Sequence, residues 1–245
     1  MVESKQLELE FGLSEDWDSV VKTLAEIIPV YDKTNRYISF GTDIKIRNEG
    51  LMNLLSSIRK EQFDVLDLGC GTGKMSEILV KISNHHSRMV VLADALRPML
   101  RVAKSRVKSD ALVCVYENLP IRPESFDAAM AGFSLRDAKT LSTALAEIRR
   151  LLRANGRFLI VDLSKPDSRI RRAMIGFYWK TLSPLIAFFA AGRVGLRFGE
   201  LYKTYRRLPK NSEFLTLVRR SGFDVTTSKY FMLGGACFIV LNRRD

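Results

Sequence analysis

The run Phe63-Asp64-Val65-Leu66-Asp67-Leu68-Gly69-Cys70-Gly71-Thr72-Gly73 decides the fold. Val65, Leu66 and Leu68 read as a buried parallel strand that ends in a glycine turn. After the turn, Met75, Ile78, Leu79 and Ile82 recur at helical spacing. Strand, tight turn and helix open a nucleotide-type α/β unit. Gly69, Gly71 and Gly73 stand where the backbone must turn sharply or a ligand must lie against it, because no Cβ blocks the approach. Lys74 occupies the place where a dinucleotide fingerprint needs its third glycine, so the pattern is G-x-G-x-G. Asp67, at the strand's carboxyl end, would repel a pyrophosphate and suits a ligand that carries an ammonium group.

A second acid follows the next strand. Met89 to Ala93 is apolar and Asp94 comes directly after it. A carboxylate there can accept hydrogen bonds from both hydroxyls of a ribose; it can also cap the segment that starts at Ala95. The stretch from Asp67 to Gly73 resembles the first motif of the class I S-adenosylmethionine (SAM)-dependent methyltransferases. SAM has an ammonium group and no phosphate. The resemblance implies a Rossmann-like α/β fold: a mostly parallel seven-stranded sheet with an antiparallel C-terminal strand and helices on both faces. It also implies SAM contacts from Asp67, Gly69, Gly71, Gly73, Asp94, Ala95, Glu117, Asn118 and Phe133.

The remaining chain fits that frame. Ser14 to Ile28 has helical spacing, with Ser14 and Asp16 as a capping start. Tyr31 to Gly41 is polar and aromatic and is expected to be a loop that serves as a lid over a pocket. Asp43 to Ile58 is helical again. Leu112 to Val115, Phe126 to Ala131 and Arg157 to Leu163 are strands, and the helix before the last ends at an Asn155-Gly156 cap. Strands alternating with helices imply right-handed crossovers and a site beyond the strands' carboxyl ends. Asp67, Asp94, Glu117, Phe133 to Asp137 and Asp162 to Ser164 all fall at that edge. The expected parts are a helical lid (1–60), a SAM-binding core (61–164), a helical substrate insertion (165–209) and a C-terminal helix with a strand pair (210–245), together one methyltransferase domain.

Composition narrows the setting. Of 245 residues 47% are hydrophobic, enough for a sizeable core. Cys70, Cys114 and Cys237 are odd in number and widely spaced, so neither a disulfide framework nor a metal site is expected. The start Met-Val-Glu-Ser-Lys-Gln is not an export segment, and a cytoplasmic protein is expected. The net charge of +12 fits nucleic acid, an anionic membrane surface or simple solubility. Self-association as a homodimer is compatible with the sequence. Ala173 to Leu196 is crowded with apolar residues, but Lys180, Pro184 and Arg193 interrupt it, so a transmembrane helix is not expected. Either it caps the sheet as extra core helices, or it forms a greasy channel or a face resting on the inner side of a membrane beside its arginines.

From about Trp17 to the end the chain resembles the ubiquinone/menaquinone biosynthesis C-methyltransferases. The likeness rests on Tyr31-Asp32, Asn35 and Ser39-Phe40-Gly41; on Phe133-Ser134-Leu135-Arg136-Asp137; and on Gly156-Arg157-Phe158 with Asp162-Leu163-Ser164-Lys165-Pro166. Departures from the family pattern are Thr34 for methionine, Asp43 and Ile46 for histidine and tryptophan, Asp137 for asparagine and Ala154-Asn155 for Pro-Gly. Val115 stands where many relatives carry an adenine-binding acid or amide. The resemblance implies methyl transfer from SAM to a ring carbon of a prenylated aromatic quinol. Such a carbon needs a neighbouring phenolate, then loss of a ring proton. His85 and His86 lie at the edge opposite the site, which leaves carboxylates, tyrosines and positioned water; Asp137, directly or through an ordered water, is the candidate base, and Arg136 the candidate phenolate stabiliser and water orienter. Arg136-Asp137 can alternatively be a helix-start salt bridge. The resemblance makes the Arg136 position catalytic and gives Tyr31 a share in holding the ring. Asn35, Phe40 and Tyr178 complete the candidate substrate contacts.

Three other functions compete. An RNA methyltransferase accounts for the charge, but the Arg149-Arg150, Arg206-Arg207 and Arg219-Arg220 pairs are scattered, and no nucleic acid partner is expected. A non-catalytic SAM-binding subunit would use the apolar segment as a protein contact. A lipid or small-molecule O- or N-methyltransferase would need no ring activation. The Ala131-Gly132-Phe133-Ser134 run lacks the Asn/Asp-Pro-Pro-Tyr/Phe motif of amide N-methylation.

Overall fold

A computed structural model describes residues 11–13, 16–83 and 87–244. Seven strands form one sheet in the order β3-β2-β1-β4-β5-β7-β6. They are β1 (Phe63–Leu68), β2 (Ser87–Asp94), β3 (Asp110–Val113), β4 (Phe126–Gly132), β5 (Leu152–Leu163), β6 (Phe223–Phe231) and β7 (Ala236–Arg243). β3, β2, β1, β4 and β5 pair in parallel, while β7 lies antiparallel to both β5 and β6. Every residue of β1 is buried, as its apolar run requires for a central strand.

The helices α1 (Trp17–Ile27), α2 (Tyr31–Ile38) and α3 (Thr42–Ser57) precede the sheet. α4 (Lys74–Ile82), α5 (Arg97–Arg106) and α6 (Leu141–Leu151) connect the parallel strands. α7 (Arg169–Phe177), α8 (Ser183–Ala191), α9 (Leu201–Arg207) and α10 (Asn211–Arg220) follow β5. One sheet face buries Leu145 and Ile148 of α6 with Leu217 and Val218 of α10. The other buries Leu51 and Leu54 of α3, Leu79 of α4 and Leu100 of α5. These are the stripes that the apolar spacing anticipates.

Four expectations change. Tyr31 to Gly41 is not a loop: α2 occupies Tyr31–Ile38, with Thr34 and Ile38 buried at i, i+4 spacing. Its polar composition hid the helix because only a narrow face is inward. Gly41, at φ +73°, is the stop that was expected, and its N–H donates to the Arg36 carbonyl. Asn155-Gly156 does not cap α6, which ends at Leu151; β5 begins at once, and Asn155, at φ +59°, sits where the β4–β5 register shifts. α1 starts at Trp17 with Asp16 before it making no side-chain cap; Ser14 lies outside the described residues.

The fourth change concerns the apolar segment. α7, a π-helical turn at Tyr178–Leu182 and α8 run on without a break. The stretch Arg169–Arg207 contains an 18-residue window of mean hydropathy 1.3, long and apolar enough to cross a membrane by length and composition. Lys180 and Pro184 thus lie inside this apolar run without ending the helix. Only 17% of that window is buried in the protein.

Candidate active site

The carboxyl ends of β1, β2 and β4 open on a cleft of about 960 Å³. The turn after β1 forms its floor. Gly69 takes φ +57°, and a Cβ there would lie 2.5 Å from the Ser134 Cβ. Gly71, at φ +53°, has nothing within 4 Å of its missing Cβ, so its backbone faces open space. Gly73 is the left-handed residue before α4. α1 and α2 supply the opposite wall through Trp17, Val21, Leu24, Tyr31 and Asp32.

Two carboxylates face this floor. Asp67 is fully buried, and its Oδ2 accepts from Ser76 Oγ at 2.6 Å. Its Oδ1 has no partner among the described residues. Burial pushes its carboxyl up to about 7. Asp94 accepts from the Gly71 N–H and the Leu96 N–H, each at 2.8 Å. Asp94 does not cap α5, whose N-cap is Leu96 without a side-chain bond; it closes the turn that leads into the helix and ties the glycine turn to β2. Each oxygen keeps a second lone pair for a ribose hydroxyl. Burial raises its pKa as well.

Ala95 and Glu117 line the cleft, whereas Asn118 does not; Leu119 takes that place. Glu117 Oε1 accepts from the Thr140 N–H at 3.1 Å, which holds the loop in position. Val115 and Tyr116 also line the cleft. The Tyr116 hydroxyl donates to the Leu68 carbonyl at 2.8 Å and also contacts Ser134 Oγ. The orphaned Asp67 oxygen and the open space at Gly71 fit the ammonium and the flank of a SAM molecule. Asp94 fits its ribose.

A second cavity of about 600 Å³ adjoins the cleft. Tyr31, Arg47 and Phe133 line both spaces. Asn35, Arg136, Trp179 and Met232 help close the second. Phe133 holds φ +61°, a strained conformation for a non-glycine residue. The Arg47 guanidinium carbon lies 4.6 Å from its ring centroid. The Tyr31 ring stacks on Phe198 at 6.3 Å. Burial raises the Tyr31 pKa, so its hydroxyl stays protonated.

Arg136 and Asp137 sit in a short turn, Leu135–Asp137, directly beyond β4. The Arg136 Nη1 donates to Asp162 Oδ1 at 2.7 Å, and its backbone N–H donates to Asp162 Oδ2 at 3.1 Å. Its Nε lies 3.7 Å from Asp137 Oδ1, and neither atom has a hydrogen-bond partner. Arg136 thus hydrogen-bonds Asp162 at the end of the neighbouring strand and stands at ion-pair distance from Asp137, as the salt-bridge alternative expected. Burial drives the Asp137 carboxyl up to about 7, partly opposed by Arg136. Burial opposes the charge of Arg136, but Asp137 and Asp162 outweigh it and raise its pKa.

Two expected contacts lie elsewhere. Phe40 is 73% exposed and lines neither space. Tyr178 donates its hydroxyl to the Ile38 carbonyl and packs under α2; its neighbour Trp179 reaches the cavity instead. His85 and His86 lie outside the described residues.

Several participants were given no role in the site by the sequence. Arg47 is buried, donates to Asp43 Oδ2 at 2.7 Å, and leaves its Nε unpartnered. Ser39 Oγ donates to Asp43 Oδ1 at 2.8 Å. Asp32 joins Thr72 Oγ1 at 2.8 Å and Arg106 at 2.6 Å, fastening α2 to the glycine turn and α5. The i, i+4 pairing of Asp43 and Arg47 was the available signal, and it looks like a solvated helix pair. Among the described residues no His, Cys, Asp or Glu cluster could hold a metal.

Similar proteins agree with this geometry. The chain is 31% identical over 218 residues to the demethylmenaquinone methyltransferase of Thermotoga maritima, covering 85% of this chain and 90% of the relative. It is 24% identical over 238 residues to the ubiquinone/menaquinone biosynthesis C-methyltransferase UbiE of Campylobacter jejuni, covering 92% and 98%. Among solved structures, a Haloferax volcanii methyltransferase complexed with its Trm112 activator superposes with TM-score 0.60 at 14% identity, covering 87% and 98%. A SAM-dependent methyltransferase of Thermotoga maritima superposes with TM-score 0.56 at 16% identity, covering 91% and 100%. These two establish the class I fold. The model of the ubiE/COQ5 methyltransferase family matches residues 13–241, and the chain, a SAM-dependent methyltransferase, belongs to that family.

Proposed function

We propose that the protein methylates a ring carbon of a prenylated aromatic quinol in quinone biosynthesis. One observation carries this reading: two buried, unpartnered groups of opposite charge, Arg136 Nε and Asp137 Oδ1, stand 3.7 Å apart beside a cavity that shares a wall with the SAM cleft. Ring C-methylation uses both, a base for the hydroxyl and the later ring proton and a cation for the phenolate. The names of the relatives in Thermotoga maritima and Campylobacter jejuni support the substrate class.

SAM supplies an electrophilic methyl on a sulfonium. Asp67 would receive its ammonium, Asp94 its ribose, and Glu117 and Leu119 would flank its adenine. Tyr31 and Phe133 would hold the ring between the cleft and the second cavity. Asp137, with its carboxyl near 7, takes the phenolic proton. The phenolate oxygen is then met by the free Nε of Arg136, and the unpartnered Nε of Arg47, which lines the same cavity, adds a second donor. Negative charge passes into the ring and the carbon attacks the methyl in line, with position supplying much of the rate. Asp137 passes its first proton to water and can then accept the proton lost from the methylated carbon. A prenylated substrate resides in a bilayer, so the same reading places the protein at an anionic membrane surface on its cytoplasmic side.

The test is product identity. Purified protein receives methyl-labelled SAM and a total lipid extract with RNA present. A carbon-bound methyl on a prenylated quinol, seen by mass spectrometry of the organic phase, is the expected result. Label on RNA, or on an oxygen or nitrogen of a water-soluble product, overturns the reading.

A further inference from the structure

α7, the π-helical turn and α8 carry a stripe of outward apolar side chains. Ile170 is 75% exposed, Phe177 62% and Phe189 79%, and Met174, Leu182 and Leu185 are exposed between them. Ile170, Met174, Phe177 and Leu185 follow i, i+4, i+7, i+15 spacing, so they share one face. At 1.5 Å per residue the stripe from Ile170 to Phe189 is roughly 29 Å long. The opposite face is held by the protein: Ile175, Ser183 and Ala187 are buried, and α8 packs on α2. A helix held by its own protein along one narrow side, through Ile175, Ser183 and Ala187, lies along a membrane rather than through it.

Beside the stripe is a bowl of cations. Lys165, Arg169, Arg172, Lys180 and Arg206 line it, together with Tyr202 and Tyr205. No carboxylate lines it. Lys165 Nζ donates to the Arg206 and Leu208 carbonyls, and Arg172 to those of Pro166 and Asp167, so backbone oxygens fix the bowl's shape. Arg169, Lys180 and Arg206 make no ion pair among the described residues. An apolar stripe flanked by unpaired cations matches the acyl layer and the phosphates of an anionic bilayer.

The second cavity reaches the same segment. Trp179 of the π-helical turn and Met232 form part of its wall. Met232 is followed by exposed Leu233, and the turn they share sits on α7, with the missing Cβ of Gly235 only 2.9 Å from Ile175 Cδ1. On the other side the wall is Ile38 and Ser39, flanked by exposed Tyr37 and Phe40. Exposed apolar side chains therefore stand beside the cavity wall at both Met232 and Ser39 and give it an apolar rim there.

We infer that Arg169–Ala191, with the cationic bowl, docks the protein on an anionic phospholipid bilayer and that the apolar rim admits the substrate's tail directly from the lipid. The docking half stands alone; the tail half rests on the quinol reading above.

The experiment is flotation of the full-length protein with phosphatidylcholine vesicles, with and without phosphatidylglycerol. The wild type should float only with phosphatidylglycerol and should leave the vesicles in high salt. Arg169→Gln with Lys180→Gln should weaken binding about thirtyfold, as expected for two cations lost near the surface. Ile170→Ser with Phe189→Ser should weaken it about tenfold. The same pair should leave turnover of a short-tailed, water-soluble quinol unchanged and depress turnover of a long-tailed one in vesicles. No binding by the wild type, or equal binding by the variants, overturns the inference. Retention on vesicles after alkaline carbonate means a spanning helix and overturns it too. Vesicle binding with no quinol methylated at all sinks the functional reading and leaves the docking standing.

Discussion

The two edges of the sheet use the same residue types to opposite ends. At the amino edge Asp64 accepts from Arg88 at 2.8 Å and Arg153 at 3.2 Å. Asp127 accepts from Arg153 at 2.7 Å, from the Asp64 N–H at 3.0 Å and from Lys60. The Arg88 bond holds Asp64 below the usual carboxylate range. Burial opposes the charge of Asp127, but Lys60, the Asp64 N–H and Arg153 together bring it below that range as well. At the carboxyl edge burial wins: Asp67 and Asp137 both rise to about 7. Asp67 Oδ1, Asp137 Oδ1, Arg136 Nε and Arg47 Nε are all left without partners. An unmet buried polar group costs about 1–3 kcal/mol. One edge is saturated and contributes stability; the other gives up stability to keep bonding capacity for ligands.

The sharpest way to break this contrast is to neutralise one acid at each edge. Asp137→Asn removes the proposed base without changing its shape. It should lower kcat by about 10²–10⁴-fold with SAM affinity unchanged. In the wild type, activity should climb as pH rises through about 7, where Asp137 gives up its proton; in the variant that limb should vanish. Asp127→Asn should instead lower Tm and leave kcat alone. A fully active Asp137→Asn enzyme would mean that the unpaired carboxylate is not the base.

Asp67→Asn probes the same edge through the cofactor. Loss of a charge-assisted bond to the ammonium should weaken SAM binding by about 10–100-fold. The sign with pH is distinctive. A carboxyl whose pKa is raised by folding holds its proton longer in the folded state than in the unfolded chain. Stability of the free protein therefore falls as pH rises from the ordinary carboxylate range to about 7. The cationic ligand prefers the ionised form, so SAM should bind more tightly as pH rises through about 7. Calorimetric titration on either side of that value checks both points, and a slope that survives in Asp67→Asn would exclude Asp67 as its source.

This contrast was half visible in the sequence. Asp67, Asp94 and the glycines announce themselves because each follows an apolar run, and period and position agree. Arg136-Asp137 was found by resemblance to its family and by its place after β4. Its true partner, Asp162, lies 26 residues on and is brought close only by parallel β4–β5 pairing. Arg47 and Asp43 were missed because an acid and a base at i, i+4 on a helix look solvated. Phe40 and Tyr178 were assigned to the substrate on residue type alone. Their directions depend on α2 being a helix, which its polar composition concealed.

The smallest effect tests how α2 is held over the edge. Asp32, Thr72 and Arg106 form one cluster between α2, the glycine turn and α5, and both charged side chains are about one-third exposed. A pair so exposed contributes about 0.2–1 kcal/mol. Asp32→Ala should therefore weaken SAM binding by no more than about fivefold. Arg106→Ala should have a similar effect, and the double variant should be little worse than either, since both remove one interaction. Hydrogen exchange supplies the readout that binding alone would not: amides of Tyr31–Ile38 should exchange faster in Asp32→Ala, and those of β1 should not. Equal protection of α2 in variant and wild type would show that its packing against α8 and Phe198, and not this cluster, keeps the helix over the cleft.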